Sequence, residues 1–449
     1  MKIKEVKWKD HPILGNLLLD FCDSSTGEPY ETVILAGENG TGKSTILKEL
    51  SAFLNAGPFE HFEYIIYTAN HKEFKAIPTS DGSSRKNFFD LIDDNGQTVK
   101  VRSDRRNNSQ ELDENLDDLR HYGCVFSKAR ADYKTQSITS TGTSTLDKEK
   151  YNDDGNDDFT SLKQLIVDVV NQDNTKYAEA NKALGTNPKS WDEFYPESNL
   201  YRFKNAFDGF FENLEYEKVD DLKSEKSILF SKSGASIPVD ELSTGEKQIV
   251  FRGIYLLRNS NLLSGAAIMI DEPELSMHPK WQQKALRYYK GLFTKDNRLD
   301  AQLFFATHSD HVLKSALSDR LKNVVLILEY RSGLISSRKV VSPSSLPSIT
   351  SAETNYLAFD VISNDYHIEL YGWLQDKASM TTVKSCDDFI KSHSAYDSVI
   401  HRKISSFGTT TYETLPTYVR NAIHHPDSGN QFTDEDLRSS IELLIRLCT

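Results

Sequence analysis

The sequence predicts an α/β head, split by a compact helical insertion and followed by a mostly helical C-terminal lobe. Three observations carry that reading. An apolar run ending in glycine, ETVILAG at 31–37, passes directly into GENGTGKSTILKEL, which changes to helical period. A second apolar run, GAAIMI at 265–270, ends in two acids, Asp271 and Glu272. Beyond about residue 345 the apolar spacing is mainly helical.

The elements follow in order. ETVILAG is a buried strand, and the helix after it sets Ile46, Leu47 and Leu50 on one face. Further strands are expected at 63–67 (EYIIY) and 122–126 (YGCVF). From about 137 the chain turns polar and acidic, through TQSITSTGTST and KEKYNDDGNDD, then patterns as helix over 158–216. No sustained heptads occur there, so no long coiled-coil arm is expected. Strands return at 227–230 (SILF), 265–270, 302–306 (QLFFA) and 324–330 (VVLILEY). The expected boundaries are 1–136 and 226–345 for two parts of one head, 137–225 for a polar linker and helical insertion, and 346–449 for a lobe that docks a partner or builds an oligomer.

Composition narrows the function classes. The 449 residues hold one large domain or two to three ordinary ones. A net charge of −13 argues against a basic body that coats nucleic acid. Four scattered cysteines with no CxxC spacing fit reduced thiols and a cytoplasmic setting. The start, MKIKEVKWKDHPIL, lacks the apolar core of a signal peptide, and no run of 18 apolar residues is long enough for a bilayer.

The chemistry begins at Gly37-Glu38-Asn39-Gly40-Thr41-Gly42-Lys43-Ser44, which matches GxxxxGK[ST] with a strand before it and a helix after. Such glycines let successive N–H groups face inward and cradle an anion at a helix start. Gly37, Asn39, Gly40, Thr41, Gly42, Lys43, Ser44 and Thr45 are the expected nucleotide-binding residues. Lys43 reaches the β- and γ-phosphates, and Ser44 offers a hydroxyl to Mg²⁺. Asp271 is expected to hold the same ion, and Glu272 to polarise an attacking water.

Two hundred residues later, DELSTGEKQ offers a second anion-binding turn. Taken together, GENGTGKST, LSTGEKQ, IMIDEPELSMHP and FFATHSD resemble the Walker A, signature, Walker B with D-loop, and switch-histidine motifs of ABC-type ATPases, of the soluble SMC- and OLD-like branch. The resemblance spans roughly residues 1–135 and 225–335, and it implies an ABC-type P-loop ATPase head. It further implies a head-to-tail homodimer, with Ser243, Thr244, Gly245 and Glu246 of one copy closing on ATP held by the other. His308 would contact the γ-phosphate and help position the water. The family's glutamine loop is expected after YGCVF, where no glutamine occurs before Gln136; Ser127 or Gln136 stands in for it.

The segments SAETNYLAFDVISNDYHIELYGWLQ (351–375) and LPTYVRNAIHHPDSGNQFTDEDLRSSIELL (415–444) resemble the ATPase subunits (PtuA) of Septu anti-phage systems and their retron-associated versions. That resemblance implies a partner HNH nuclease from the same operon, gated by the ATPase. In a retron setting it adds a reverse transcriptase with its RNA–DNA product, so that nucleic acid is met through the partner. Two other readings stay open. A DNA-repair ATPase of the RecF type shares the head motifs. A ribonuclease of the HEPN type would use RNxxxH at Arg420, Asn421 and His425, with His424 beside it; a helix-end or docking role for these residues is the simpler reading. The acidic run DDGNDD (153–158), the cluster Arg102, Arg105 and Arg106, and Tyr366, His367 and Glu369 in YHIELYGWL read as surface or packing.

Overall fold

A computed structural model describes residues 1–449 except 81–84, 104–108, 131, 144–145, 154–158, 185–187, 221–224, 320, 332 and 341–344. Arg105, Arg106 and most of the DDGNDD run lie outside the described residues. The chain divides into two compact units, Met1–Lys339 and Val340–Thr449.

In the first unit, the expected strand after Glu31 is β3 (Thr32–Gly37), buried along its whole length. Continuous burial marks a strand covered on both faces, as parallel sheets are. Its sheet holds seven strands. Besides β3 these are β8 (Cys124–Ser127), β9 (Tyr151–Asp153), β13 (Ala267–Asp271), β16 (Gln302–Ala306), β17 (Asn323–Arg331) and β18 (Leu334–Lys339). The order is β18-β17-β3-β16-β13-β8-β9; β18 alone is antiparallel. β9 falls inside the stretch expected to be linker, where it pairs with β8 and gives the sheet its edge.

A second sheet, wholly antiparallel, runs β2-β1-β4-β5-β6-β7 from β1 (Lys2–Trp8), β2 (Leu18–Asp20), β4 (Phe62–Ala69), β5 (Lys72–Pro78), β6 (Phe89–Asp93) and β7 (Thr98–Val101). Helix α1 (Lys43–Leu54) supplies Ile46, Leu47, Leu50, Phe53 and Leu54 to one core that also contains Trp8, Ile65 and Phe89 from this sheet and Met269 and Phe304 from the other. The helix that carries the phosphate loop is thereby fixed by both sheets.

The short α2 (Ser109–Glu114) precedes β8. The insertion contains α3 (Phe159–Leu184), α4 (Trp191–Phe194) and α5 (Leu200–Phe210). The helical expectation fails past Phe211: Leu214–Asp220 is a strand, β10, in a small antiparallel sheet with β11 (Ser227–Lys232) and β12 (Ala235–Pro238). Leu214 and Tyr216 alternate with exposed glutamates, a period-two pattern that cross-strand pairing satisfies. Helices α6 (Thr244–Leu257), α7 (Pro279–Leu292) and α8 (Asp310–Leu317) cover the large sheet, with a small ribbon, β14 (Thr294–Lys295) and β15 (Arg298–Leu299), after α7.

The second unit packs α9 (Ser351–Phe359), α10 (Asn364–Lys377), α11 (Val383–Ser392), α12 (Leu415–His424) and α13 (Asp434–Cys448) around Tyr366, Leu370, Leu374, Ile390, Val419, Ile441 and Leu444. It also holds a hairpin, β19 (Arg402–Phe407) and β20 (Thr410–Thr414), inside the stretch expected to be mostly helical.

Arg102 of the proposed surface cluster is structural: its guanidinium binds Asp90 at 2.8 Å and the Phe89 carbonyl at 2.8 Å. In the short helical turn Leu119–Tyr122 before β8, Arg120 is wholly buried beside wholly buried Asp118, 2.8 Å away, with its guanidinium carbon 4.8 Å from the centre of the Phe89 ring. It also donates to the carbonyls of Asn87 and Ser103. Removing one partner of such a pair leaves a buried charge unpaired, which costs about 3–5 kcal/mol. Arg120→Met is therefore expected to lower the unfolding free energy by that order, seen as a lower urea midpoint followed by tryptophan fluorescence; an unchanged midpoint would show that the pair is dispensable.

Candidate functional site

Parallel register brings the predicted residues to one edge. Pairing Leu35 with Ala306, and Ala306 with Asp271, sets the C-terminal ends of β3, β16 and β13 side by side. Gly37, Asp271-Glu272 and Thr307-His308-Ser309 all emerge there, the edge where open α/β sheets bind ligands.

The phosphate loop needs its glycines. Gly37 has φ +134°, and a Cβ there would lie 2.2 Å from the Leu328 carbonyl oxygen of β17. Gly42 caps α1 in the left-handed region, with no side chain capping the first turn. Its missing Cβ leaves room for Leu14, 2.6 Å away. The helix start thus presents amide groups that no side-chain cap satisfies, next to exposed Glu38, Asn39 and Gly40. Thr41 folds back, its Oγ1 donating to the Glu38 carbonyl at 2.9 Å. Lys43 donates to the carbonyls of Gly37 and Glu38, 2.8 Å each. Burial pulls its pKa down to about 8, against the attraction of Asp271, Glu272, Glu274 and Glu38. Thr45 stands half-buried in the first turn.

Ser44 Oγ donates to Asp271 Oδ1 at 3.1 Å, joining residues 227 positions apart. Burial raises the Asp271 pKa, while the Ser44 bond, Arg252 and Lys43 oppose the rise. Glu272 leaves the strand with φ +45°, and its N–H still donates to Ala306 O at 2.8 Å. His308 Nε2 lies 3.7 Å from Glu272 Oε1. Burial, and then Lys43, lower the histidine's pKa, so the imidazole is neutral at pH 7 and the contact is not an ion pair. Ser127 ends β8 paired with Ile270, one residue from Asp271, whereas the backbone of Gln136 is held elsewhere, its N–H donating to Thr160 Oγ1 and its carbonyl accepting from Lys163 Nζ. Ser127 is thus the one set beside the acidic strand end.

The signature turn forms the start of α6. Ser243 is its N-cap, in a reciprocal capping box with Glu246. Ser243 and Thr244 are exposed, and Gly245 packs so closely that a Cβ would lie 2.7 Å from the Ser276 carbonyl oxygen. Among the described residues no hydrogen bond joins 242–246 to the phosphate loop.

Residues that pattern reading missed lock these parts together. Arg252 of α6 donates to the carbonyls of Glu272 (3.1 Å), Asp271 (3.0 Å) and Lys128 (2.6 Å). Gln248 donates to Pro273 O at 3.2 Å. Glu274, buried, accepts from Thr307 Oγ1 (2.7 Å), His308 N (2.9 Å) and Ser309 N (3.1 Å) with one oxygen. The only hint in the sequence was helical spacing from the signature for Gln248 and Arg252, and the acid two places after Glu272 for Glu274.

In the second unit Arg420 donates to Asn421 Oδ1 at 3.0 Å, and the buried Asn421 Nδ2 has no partner. Arg420 and His424 are one turn apart on α12; His425, the histidine of the RNxxxH pattern, is the non-helical C-cap. His367 is buried and neutral, its pKa brought down to about 3 by burial and by His424, and its Nε2 lies 2.8 Å from Ser440 Oγ.

The donor set fits a nucleotide with a hard divalent cation. Mg²⁺ is ordinarily held by one or two protein oxygens completed by phosphates and water. A hydroxyl and a carboxylate 3.1 Å apart supply that. Among the described residues no group of three or more His, Cys, Asp or Glu side chains is arranged to hold a metal by itself.

A family model described as "AAA domain, putative AbiEii toxin, Type IV TA system" matches residues 33–314, more than half of the chain. The chain belongs to this family. It is an ATPase with an ABC-type P-loop head. Among characterised relatives it is similar to the Retron Vc95 probable ATPase of Vibrio cholerae serotype O1 biovar El Tor, 24% identical over 390 residues, covering 72% of this chain and 73% of the relative. It is likewise similar to the Septu protein PtuA of Bacillus thuringiensis, 24% identical over 340 residues, covering 71% and 74%. A solved SMC head domain from Thermotoga maritima aligns over 76% of this chain and 100% of its own, at 14% identity and TM-score 0.39. No helix among the described residues is long and apolar enough to cross a membrane.

The Glu274 cluster sets an expectation for this ATPase. Glu274→Ala would take the carboxylate acceptor from the Thr307 hydroxyl and the His308 N–H, each loss costing about 1–3 kcal/mol, and would leave the Ser309 N–H with Thr307 Oγ1 alone. Hydrolysis is expected to fall at least tenfold, on the order of one such group misplaced. Glu274→Gln keeps an acceptor oxygen and should retain most of the rate. Equal losses in both variants, measured by phosphate release, would count against an ordering role for the carboxylate.

Proposed function

We propose that this chain is the ATP-hydrolysing subunit of a bacterial anti-phage defence complex, acting as a head-to-tail pair that holds ATP between the phosphate loop of one copy and the signature turn of the other. The observation that carries the reading is the separation of two anion-binding turns in one head. Each opens to solvent at a helix start, and neither is hydrogen-bonded to the other. Two copies complete what one leaves in halves.

In this reading the amides after Gly40 and Gly42 cradle the β- and γ-phosphates, and Lys43 turns from its loop carbonyls to a phosphate oxygen. Ser44 and Asp271 hold Mg²⁺, which would neutralise charge on the phosphates. Glu272 orients the attacking water and draws on its proton, with neutral His308 beside it as a hydrogen-bond partner for water or γ-phosphate. Ser243 and Gly245 of the partner copy close the far side.

The two relatives, a probable retron ATPase and a Septu protein, support a defence role. The further reading, resting on the Septu resemblance, is a cytoplasmic complex in which the lobe at 346–449 docks an HNH nuclease. ATP state gates that nuclease, and nucleic acid is met through it, including a reverse-transcribed product where a retron is present. The contacts of Arg420 and Asn421 with each other, and the cap position of His425, favour a docking or structural use of RNAIHH over catalysis.

Native mass measurement of the Glu272→Gln chain, alone and co-expressed with its operon neighbour, tests this. ATP is expected to drive dimerisation and to change the assembly with the neighbour. A chain that ignores its neighbour and responds instead to DNA ends would place it with the repair ATPases; RNA cleavage lost on Arg420→Ala would make it a ribonuclease. The lysine adds a pH expectation. Free Lys43 loses its proton near pH 8 and phosphate favours the charged form, so ATP affinity is full below pH 8 and falls as pH rises beyond it. Calorimetry at pH 8.5 in two buffers should record proton uptake on binding, absent in Lys43→Met.

A further inference from the structure

The capping box at the start of α6 carries more than a helix end requires. Glu246 is buried, its side chain 4% exposed. Its Oε2 accepts both the Ser243 N–H and the Ser243 hydroxyl, 2.8 Å each. The serine's one proton therefore points inward, at a carboxylate, and away from any incoming phosphate. The other oxygen, Oε1, is taken by Lys232 Nζ at 2.7 Å. Lys232 ends β11 and belongs to the hairpin with β12, so the contact comes from outside the signature helix. Its side chain is 35% exposed, and among the described residues Glu246 is its one carboxylate partner. Burial works against ionisation of Glu246, but Lys232 and Ser243 outweigh it, and its pKa lies below the usual carboxylate range.

This creates a conflict that a neutral N-cap would not have. The turn must receive the γ-phosphate of another copy's ATP, yet it has a carboxylate directly behind its serine. Two like unit charges about 6 Å apart, at an effective dielectric of about 20, weaken association by roughly a hundredfold. Lys232 removes most of that charge. It also holds the carboxylate when the serine hydroxyl turns away.

We propose that Lys232 is a positioning residue of the composite site: it neutralises and anchors Glu246 so that Ser243 can swing its hydroxyl from that carboxylate to the γ-phosphate bound by the partner copy. The proposal rests on the sandwich reading above, and names the residue of the β10–β12 hairpin through which that sandwich is controlled.

The test is ATP-driven dimerisation of the full chain in the Glu272→Gln background, with binding of a fluorescent ATP analogue to the phosphate loop as the second readout. Lys232→Met is expected to weaken dimerisation at least tenfold while analogue binding stays within about twofold, a difference of under half a kcal/mol. Lys232→Arg should keep most of the parent's dimerisation, because the positive charge is retained. Lys232→Met with Glu246→Gln should recover it, since glutamine keeps the capping box and removes the uncompensated charge. A dimerising parent with an indifferent Lys232→Met overturns the proposal alone, as does a double variant no better than the single one. Loss of analogue binding in Lys232→Met, again unrelieved in the double variant, marks a merely structural lysine and overturns it too. A parent that stays monomeric with ATP overturns the sandwich and this proposal together.

Discussion

Everything in the site depends on the hydrogen-bonded register of a buried parallel sheet. β3, β13 and β16 are covered on both faces, so each backbone N–H and C=O has to find its partner in a neighbouring strand. A slip by one residue would reverse every side chain, and no face could accept the change. The register is therefore rigid, and the strand ends cannot drift relative to one another. Ser44 can meet Asp271, and Glu272 can lie near His308, because three strands from distant parts of the chain stop at one line.

That rigid edge is then tied to the signature helix by backbone acceptors, where side-chain charge pairs play little part. Arg252 spends its guanidinium on three carbonyls, two of them in the residues bearing the acidic pair. Gln248 takes the next carbonyl, and Gly245 allows the D-loop turn at Ser276 to press on the helix start. A displacement of α6 must therefore pull on the carbonyls of Asp271 and Glu272, and so on the geometry of the carboxylate proposed to orient the water. The coupling between the two anion-binding turns is mechanical within a single head, although no bond joins them directly.

How much of this was legible varied with how local the cause is. The phosphate loop, the acidic strand end and THSD were readable because each is a contiguous pattern whose strand–loop–helix context is contiguous too. Lys232, Arg252 and Glu274 were not, since a lysine at a strand end or an arginine on a buried helix acquires its role from atoms far away in sequence. The hairpin at 402–414 defeats hydropathy outright: Ile404 is exposed while Ser405 is buried, opposite to the usual assignment of faces. The stretch after Phe211 misled for a different reason. Helical spacing through Phe203, Phe207 and Phe210 carries on by eye into Leu214, but the backbone turns at Phe211, with φ −87° and ψ 144°, and pairing with β11 takes over.

The electrostatic balance of the head explains why so few cations are needed. Around Lys43 stand Asp271, Glu272, Glu274 and Glu38, an excess of acid in a chain already at −13. Such a site cannot hold a polyphosphate by charge alone; direct attraction would come from one lysine, and the carboxylates would cancel it. Two features offset the deficit. Amides at an uncapped helix start provide partial positive charge at fixed positions with no counter-ion of their own. The carboxylates, unfavourable toward bare phosphate, become favourable once a divalent cation stands between them. The signature turn would meet the same difficulty on a smaller scale, with Lys232 paired to Glu246 at 2.7 Å in place of a metal. In each half of the sandwich proposed above, then, a carboxylate that orders the local structure would repel phosphate, and a cation placed against it would turn that obstacle into part of the binding surface.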